Sequence, residues 1–377
     1  MKKAIILTHP LQLNYGGLLQ AFALQKVVER MGVDVVTDKN ACQRYSGNGK
    51  FTKYAKNVVK TVLNLFGKRY VTISQLKTIS QNTDRFIRNY IKTTDFFKGK
   101  NIPPQKVISK YDIFIVGSDQ IWRKKFMNVQ AYFLNFIRYD DTKTKIAYAG
   151  SFGTDNLSEW TQEDIDTCKK LAPKFNAISV REDSGANIFD KYFNIRVPQV
   201  LDPTMLLNRE DYLDVIETVD KKHREKVLLC YMLNNTDPKK IELIQYVADK
   251  MSLNPMFVMP EEDLTPHTEN IQKCIYPSVS HWLSGFRDAE FVLTDSFHGT
   301  VFSIIFNKQF VCIDSVSRGS ARFASLLKMF NLEDRLINSP HDFNEDLITK
   351  KIDYEAVNVI MENMKKKSFD FLKKALQ

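Results

Sequence analysis

Several common chemistries announce themselves by short motifs that this chain does not contain. No GxGxxG follows a strand-like run, and Walker A, HExxH and GxSxG patterns are all missing. Dinucleotide oxidoreductases, P-loop kinases, zinc proteases and serine hydrolases therefore lose their usual signatures. Cysteine is scarce: Cys42, Cys168, Cys230, Cys274 and Cys312 are scattered, odd in number and form no CxxC pair. Such a set suggests neither a disulfide framework nor a zinc site. Cys230 and Cys312 sit inside apolar strand-like runs, where cysteine acts as a small core residue, and a reducing compartment is expected. No apolar stretch approaches the length of a membrane span, and the apolar start is too short for a secretion signal. A cytoplasmic protein is expected, with contact at the inner face of the cell membrane still open. The histidines show no metal-ligand spacing, so neither a metal nor a cofactor is expected.

What is present is ordinary globular material in quantity. The 377 residues are 44% hydrophobic and 26% charged, enough for two cores. The net charge of +10 attracts anions without choosing among phosphate, nucleic acid and acidic lipid; it also fits plain solubility.

The N-terminal part reads as a βαβ unit. A buried strand at 4–7 leads to a Gly16-Gly17 turn and a helix reaching about Arg30, with Leu18, Phe22, Leu24, Val27, Val28 and Met31 on its apolar side; a strand at 33–36 follows. Residues 40–110 are less regular. Within them 51–70 is basic and amphipathic, either a surface helix packed on the body or one lying on anionic lipid. Strand-like runs at 112–116, 145–149 and 177–180 end at Gly117-Ser118-Asp119, Gly150-Ser151 and Arg181-Glu182-Asp183. Ligands in open α/β sheets bind beyond the carboxyl ends of strands, so these ends are expected to line one crevice. Residues 197–203 read as a terminal strand at a domain boundary. A second α/β set follows, with strands at 227–233, 256–259, 291–293 and 310–313, a helix at 239–251, and an amphipathic helix at the end of the chain. The expected fold class is α/β: two Rossmann-like domains facing a cleft, GT-B-like by analogy, with a C-terminal helix. The expected domains are 1–203, on the acceptor side; 204–345, holding the donor; and 346–377, a helical region packing back on the body.

His298 stands out among candidate catalytic residues. It lies between Ser296 and Gly299 where a strand ends and a helix begins. Free N–H groups and a positive dipole end there suit a phosphate or carboxylate, and a histidine there can move a proton near neutral pH. The plainer alternative is that Ser296 caps the helix and His298 packs beside it. His9 follows the first strand and lies near the expected crevice.

The chain resembles the polysaccharide pyruvyl transferase family over most of its length. The resemblance rests on ordered segments: Asn14-Tyr15-Gly16-Gly17-Leu18-Leu19-Gln20-Ala21-Phe22-Ala23-Leu24, Gly117-Ser118-Asp119-Gln120-Ile121-Trp122-Arg123, Tyr148-Ala149-Gly150-Ser151-Phe152-Gly153, Ser179-Val180-Arg181-Glu182-Asp183-Ser184, Asp202-Pro203-Thr204 and Thr294-Asp295-Ser296-Phe297-His298-Gly299. It implies phosphoenolpyruvate as donor, a sugar with two suitable hydroxyls as acceptor (free or lipid-linked), and a cyclic pyruvate ketal plus phosphate as products, in surface polysaccharide biosynthesis. No nucleic acid partner is expected. His298 matches the family's important histidine and Arg181 an arginine suited to an anion; the alternative for Arg181 is a salt bridge with Glu182 or Asp183. Ser296 stands where many members carry an arginine, and Arg318 and Arg322 are candidates to replace it. Donor binding is thus expected of Arg181, Ser296, Gly299, Arg318 and Arg322, and catalysis of His298. Asn14, Gly16, Gly17, Gln20, Ser118, Asp119, Trp122 and Ser151 are expected to line the acceptor side or the cleft, although Trp122 also reads as core and the glycines as turn residues. A GT-B glycosyltransferase using a nucleotide sugar and a non-catalytic glycan-binding relative remain alternatives.

Overall fold

The computed structural model describes residues 2–40, 42, 71–97, 102–137, 142–220, 225–233, 237–314 and 320–377. The amphipathic stretch at 51–70 and Arg318 lie outside the described residues.

Eleven strands form two wholly parallel sheets among these residues. The first holds β1 (Lys3–Leu7), β2 (Asp34–Asp38), β3 (Thr93–Thr94), β4 (Ile113–Val116), β5 (Thr144–Gly150) and β6 (Ala177–Val180), in the order β3-β2-β1-β4-β5-β6. This is the doubly wound order, reversing between β1 and β4. The second holds β7 (Val227–Tyr231), β8 (Asn254–Phe257), β9 (Ala289–Thr294), β10 (Gln309–Ile313) and β11 (Leu336–Ile337), in the order β11-β10-β9-β7-β8. Strands covered on both faces need unbroken apolar runs, and β4 and β7 bury every residue.

The first helix, Tyr15–Arg30, starts where the Asn14 side chain accepts the N–H of Gly17. That cap satisfies one of the donors left open at a helix start. The segment expected to form a terminal strand at 197–203 does not. It makes one isolated bridge, Val180 to Gln199, and turns into the 3₁₀ segment Pro203–Leu206. Pro198 and Pro203 lack the N–H groups a strand ladder requires.

The two sheets share one apolar mass. Tyr15 stacks on Trp282 at 5.7 Å and donates its hydroxyl to the Pro277 carbonyl at 2.8 Å. Tyr212 packs between Phe22 and Phe302. The last helix, Tyr354–Leu376, returns to the first sheet: the Ser368 hydroxyl accepts the N–H of Leu201, and Phe371 lies against Tyr148. Among the described residues no helix is long and apolar enough to cross a membrane.

Candidate functional site

The carboxyl ends of both sheets open onto one cleft of about 370 Å³. The first sheet supplies His9 after β1 and Asp119, Gln120, Arg123 and Phe126 after β4, with Asn14 at the start of the first helix. The second supplies Tyr231 and Leu233 at the end of β7, Asp295 to His298 after β9, and Arg322 and Phe323 from the helix Ser320–Met329.

His298 is 6% exposed and sits in the first turn of the helix Phe297–Ile305. Its Nε2 lies 3.8 Å from Asp202 Oδ2 and has no hydrogen-bond partner among the described residues. Burial pushes the imidazole below its ordinary range; Asp202 and Asp119 oppose that, and Arg181 and Arg322 reinforce it. These surroundings favour the neutral imidazole. On its other side the backbone of Gly16 presses on the ring: a Cβ at residue 16 would come within 2.0 Å of Nδ1. Glycine at this position lets the first helix approach the imidazole.

Asp202 organises the floor beneath. Its Oδ2 accepts the Gln20 side-chain amide and Arg181 Nη1, the latter at 3.1 Å, while Oδ1 accepts the N–H and hydroxyl of Thr204. Arg181 also pairs with Glu182 at 3.3 Å and lies 3.8 Å from Asp119. Burial alone would lower the Arg181 pKa, but Glu182, Asp202 and Asp119 raise it. Ser151 donates to Glu182, and the Ser118 hydroxyl accepts from Gln20 and donates to Ala149 O.

Asp119 carries φ of 73°, a left-handed conformation that aspartate tolerates better than most residues. Its main-chain oxygen accepts the N–H groups of Ile121 and Ser151. Burial would raise its carboxyl, but His9, Arg181, His298 and Arg322 hold it well below the usual range. Arg322 reaches the cleft because its helix docks on the first sheet: the Ser325 hydroxyl accepts the N–H of Asp183 and the side chain of Gln199. Its guanidinium lies 5.7 Å from the Phe297 ring centroid, and that of Arg181 lies 4.4 Å from it. Burial, then the neighbouring Arg181, pushes Arg322 down to about 10, against Asp119 and Glu182. Asp295 is held from behind, with Oδ1 accepting the N–H of Leu233 and Oδ2 accepting Lys240 Nζ at 2.6 Å.

Of the residues singled out in the sequence, His298, Ser296, Asn14, Asp119 and Arg322 line the cleft. Gly16, Gln20, Ser118, Ser151 and Arg181 lie in the layer beneath it. Gly16 and Gly17, expected as a turn ahead of the first helix, lie inside its first turn instead, because the Asn14 cap starts the helix at Tyr15. Ser296 makes no side-chain cap; Thr294 Oγ1 accepts its N–H. Gly299 faces the sheet, where a Cβ would strike Thr294 Oγ1 at 2.0 Å, so its smallness serves packing instead of ligand approach. Trp122 is not an acceptor wall. It is fully buried among Phe133, Phe152 and Phe189, because an indole gains most where its whole apolar face leaves water. Sequence reasoning had not singled out Asp202, Glu182, Arg123, Asp295, Tyr231 or Phe126 as site residues. The first four stand inside the matching segments; Tyr231 and Phe126 carried no signal beyond strand and loop.

A sequence profile of the family described as polysaccharide pyruvyl transferase matches residues 14–317. Among curated proteins no match is found. Among solved structures, a glycosyltransferase from Rickettsia africae is similar at a TM-score of 0.52 and 12% identity, with 100% of this chain and 99% of that one covered. A UDP-bound MnaA from S. aureus (TM-score 0.47, 13% identity, 99% and 91% covered) and a UDP-GlcNAc 2-epimerase from Neisseria meningitidis (TM-score 0.46, 12% identity, 97% and 100% covered) are also similar. The likeness is one of fold, and with two doubly wound halves facing a cleft the fold is GT-B-like. With the family profile spanning both halves, from the Asn14 cap past the His298 motif, the chain belongs to the polysaccharide pyruvyl transferase family.

Proposed function

We propose that the protein moves the enolpyruvyl unit of phosphoenolpyruvate onto two hydroxyls of a glycan or lipid-linked sugar, forming a pyruvate ketal during surface polysaccharide assembly. The observation that carries this reading is the placement of His298: buried at a helix start, lining a cleft with Arg123 and Arg322, its Nε2 3.8 Å from Asp202 and without a hydrogen bond among the described residues.

The chemistry requires an acid at the enol methylene and cations around phosphate and carboxylate. Burial above all holds His298 neutral, so it must gain a proton before it can act as the acid. A bound trianion brings negative charge that favours the protonated imidazole, so donor binding itself loads the acid. Protonation of the methylene makes the middle carbon electrophilic. One sugar hydroxyl adds there, phosphate departs, and the second hydroxyl closes the ring. Of the two protons released by the hydroxyls, one replaces that given to carbon and one leaves with phosphate. Arg322 supplies the charge that many relatives place at residue 296, with Arg123 beside it; Arg318 is a further candidate. Arg181 acts from beneath by holding Asp202 and by its charge. The donor falls to the His298 side, and the acceptor to the side of Asn14, Asp119 and Phe126. The residues supply every proton transfer and counter-charge, so the reading needs no metal or cofactor.

The test is thermal protection by phosphoenolpyruvate against a set of nucleotide sugars, followed by phosphate release with sugar diols present. Protection by phosphoenolpyruvate and diol-dependent phosphate release are expected. Protection by a nucleotide sugar alone turns the assignment to glycosyl transfer, and binding without turnover to a glycan-binding protein.

A further inference from the structure

Ketal formation removes two protons from the acceptor hydroxyls while adding one to carbon, so the acceptor side needs a proton acceptor of its own. Among the described residues that line the cleft, four carry an imidazole or carboxylate that can take a proton: His9, Asp119, Asp295 and His298. His298 serves the donor as acid. Asp295 has both oxygens engaged, by the Leu233 N–H and by Lys240. Asp119 is a weak base, since, beside the histidines, Arg181 and Arg322 hold its carboxylate ionised. His9 remains.

The geometry around His9 fits that role. It is half-buried on the cleft wall, and its Nε2 has no hydrogen-bond partner among the described residues; that nitrogen is shielded from solvent, so the ring must turn to offer it to an acceptor hydroxyl. A neutral imidazole always has one nitrogen that accepts a proton. The backbone is held on both sides: Thr8 Oγ1 donates to Ser118 O at 3.0 Å, Tyr132 Oη donates to Thr8 O at 2.9 Å, and Pro10 restricts the residue before it. The ring meets Phe126 edge-on, with centroids 6.4 Å apart at 68°. Phe126 is 44% exposed although it is a large apolar residue, and it lines the same cleft. Arg123 Cζ and Lys125 Nζ lie 5.2 and 5.8 Å from its ring centroid, so the part of the ring left uncovered, beside a proton acceptor, is the surface on which a sugar ring can present a hydroxyl.

We propose that His9 is the second proton-transfer residue of the cleft, the base that takes the proton from the attacking acceptor hydroxyl while the sugar rests on Phe126. The proposal rests on the pyruvyl-transfer reading. The hydroxyl O–H bond breaks as the new C–O bond forms, and the proton passes to the imidazole and leaves with the departing phosphate.

The test uses phosphoenolpyruvate with a set of p-nitrophenyl hexopyranosides bearing free 4- and 6-hydroxyls. In His9→Ala, phosphate release should fall ~10²–10⁴-fold, the usual contribution of a general base. Phosphoenolpyruvate affinity by calorimetry should stay unchanged, and added imidazole should restore part of the rate. His9→Gln, which keeps an amide in the same space, serves if the alanine variant does not fold. Turnover equal to the parent, an equal loss of phosphoenolpyruvate affinity, or no rescue by imidazole overturns the proposal. A parent protein inactive on the whole set overturns the pyruvyl-transfer reading, and this proposal with it.

Discussion

At the end of β6, Arg181 is enclosed by Glu182, Asp202 and Asp119; at the end of β9, His298 lines the cleft, with its buried Nε2 3.8 Å from Asp202 and without a hydrogen bond among the described residues. Both are nearly buried, at 4% and 6% exposure, so burial does not distinguish them. The partners do. Arg181 is ion-paired with Glu182 and Asp202, and its Nη2, without a hydrogen bond among the described residues, lies 3.8 Å from Asp119; a buried cation held by carboxylates is scaffold, since moving it leaves its partners uncompensated. A buried titratable group with an unused nitrogen is held ready for something that is not protein. The first sheet thus contributes a rigid, internally neutralised floor, and the second contributes the reactive group standing on it.

The contrast breaks most sharply at His298. His298→Ala should lower phosphoenolpyruvate-dependent phosphate release by ~10²–10⁴-fold while the circular dichroism spectrum and melting stay near those of the parent. A folded variant with parental turnover removes His298 from the chemistry. At Asp202 the opposite pattern is expected, a loss of fold before a loss of any single step. Asp202→Ala strips Arg181 and Gln20 of a shared acceptor and should cost about 3–5 kcal/mol of stability, as when one partner of a buried pair is removed, read by urea unfolding.

Gly16 joins the two regions and sharpens the comparison. Gly16→Ala places a methyl group 2.0 Å from His298 Nδ1, so helix or imidazole must move. A displacement of about 1 Å at a reacting group costs on the order of 10²-fold in rate, so turnover should fall to that extent with donor affinity much less changed. An unaffected rate shows that the ring is not held from this side. The smallest effect is expected at Arg322. Arg322→Ala should weaken phosphoenolpyruvate binding by ~1.5–3 kcal/mol, the range for a lost charged hydrogen bond, with Arg318→Ala and the double variant measured beside it. Donor affinity unchanged in all three means that neither replaces the charge absent at Ser296.

Much of this was legible before any coordinates. The strand at 177–180 and the helix at 239–251 fall within a residue of their observed limits, because buried parallel strands and amphipathic helices leave periodic apolar patterns. The placement of His298 at a helix start followed from a strand ending in small and polar residues. The expected strand at 197–203 failed where prolines outweighed its apolar residues. Trp122 shows the same limit at the site: its segment ends a strand, but a side chain there can turn toward the cleft or the core, and packing against Phe133, Phe152 and Phe189 decided for the core.

By itself the sequence determined the two α/β sets, the strands and helices with clear apolar periodicity, and the histidine at the start of a helix. These depend on neighbours within a few residues, through dihedral preferences, periodicity and capping. Tertiary structure alone decided that Asp202 accepts from Gln20 and Arg181 and stands 3.8 Å from His298, and that Arg322 reaches the Arg181 end of the first sheet through Ser325. Those meetings join segments far apart in the chain, and they exist only because two apolar sheets and their helices bury one shared face, which sets how their polar edges confront each other.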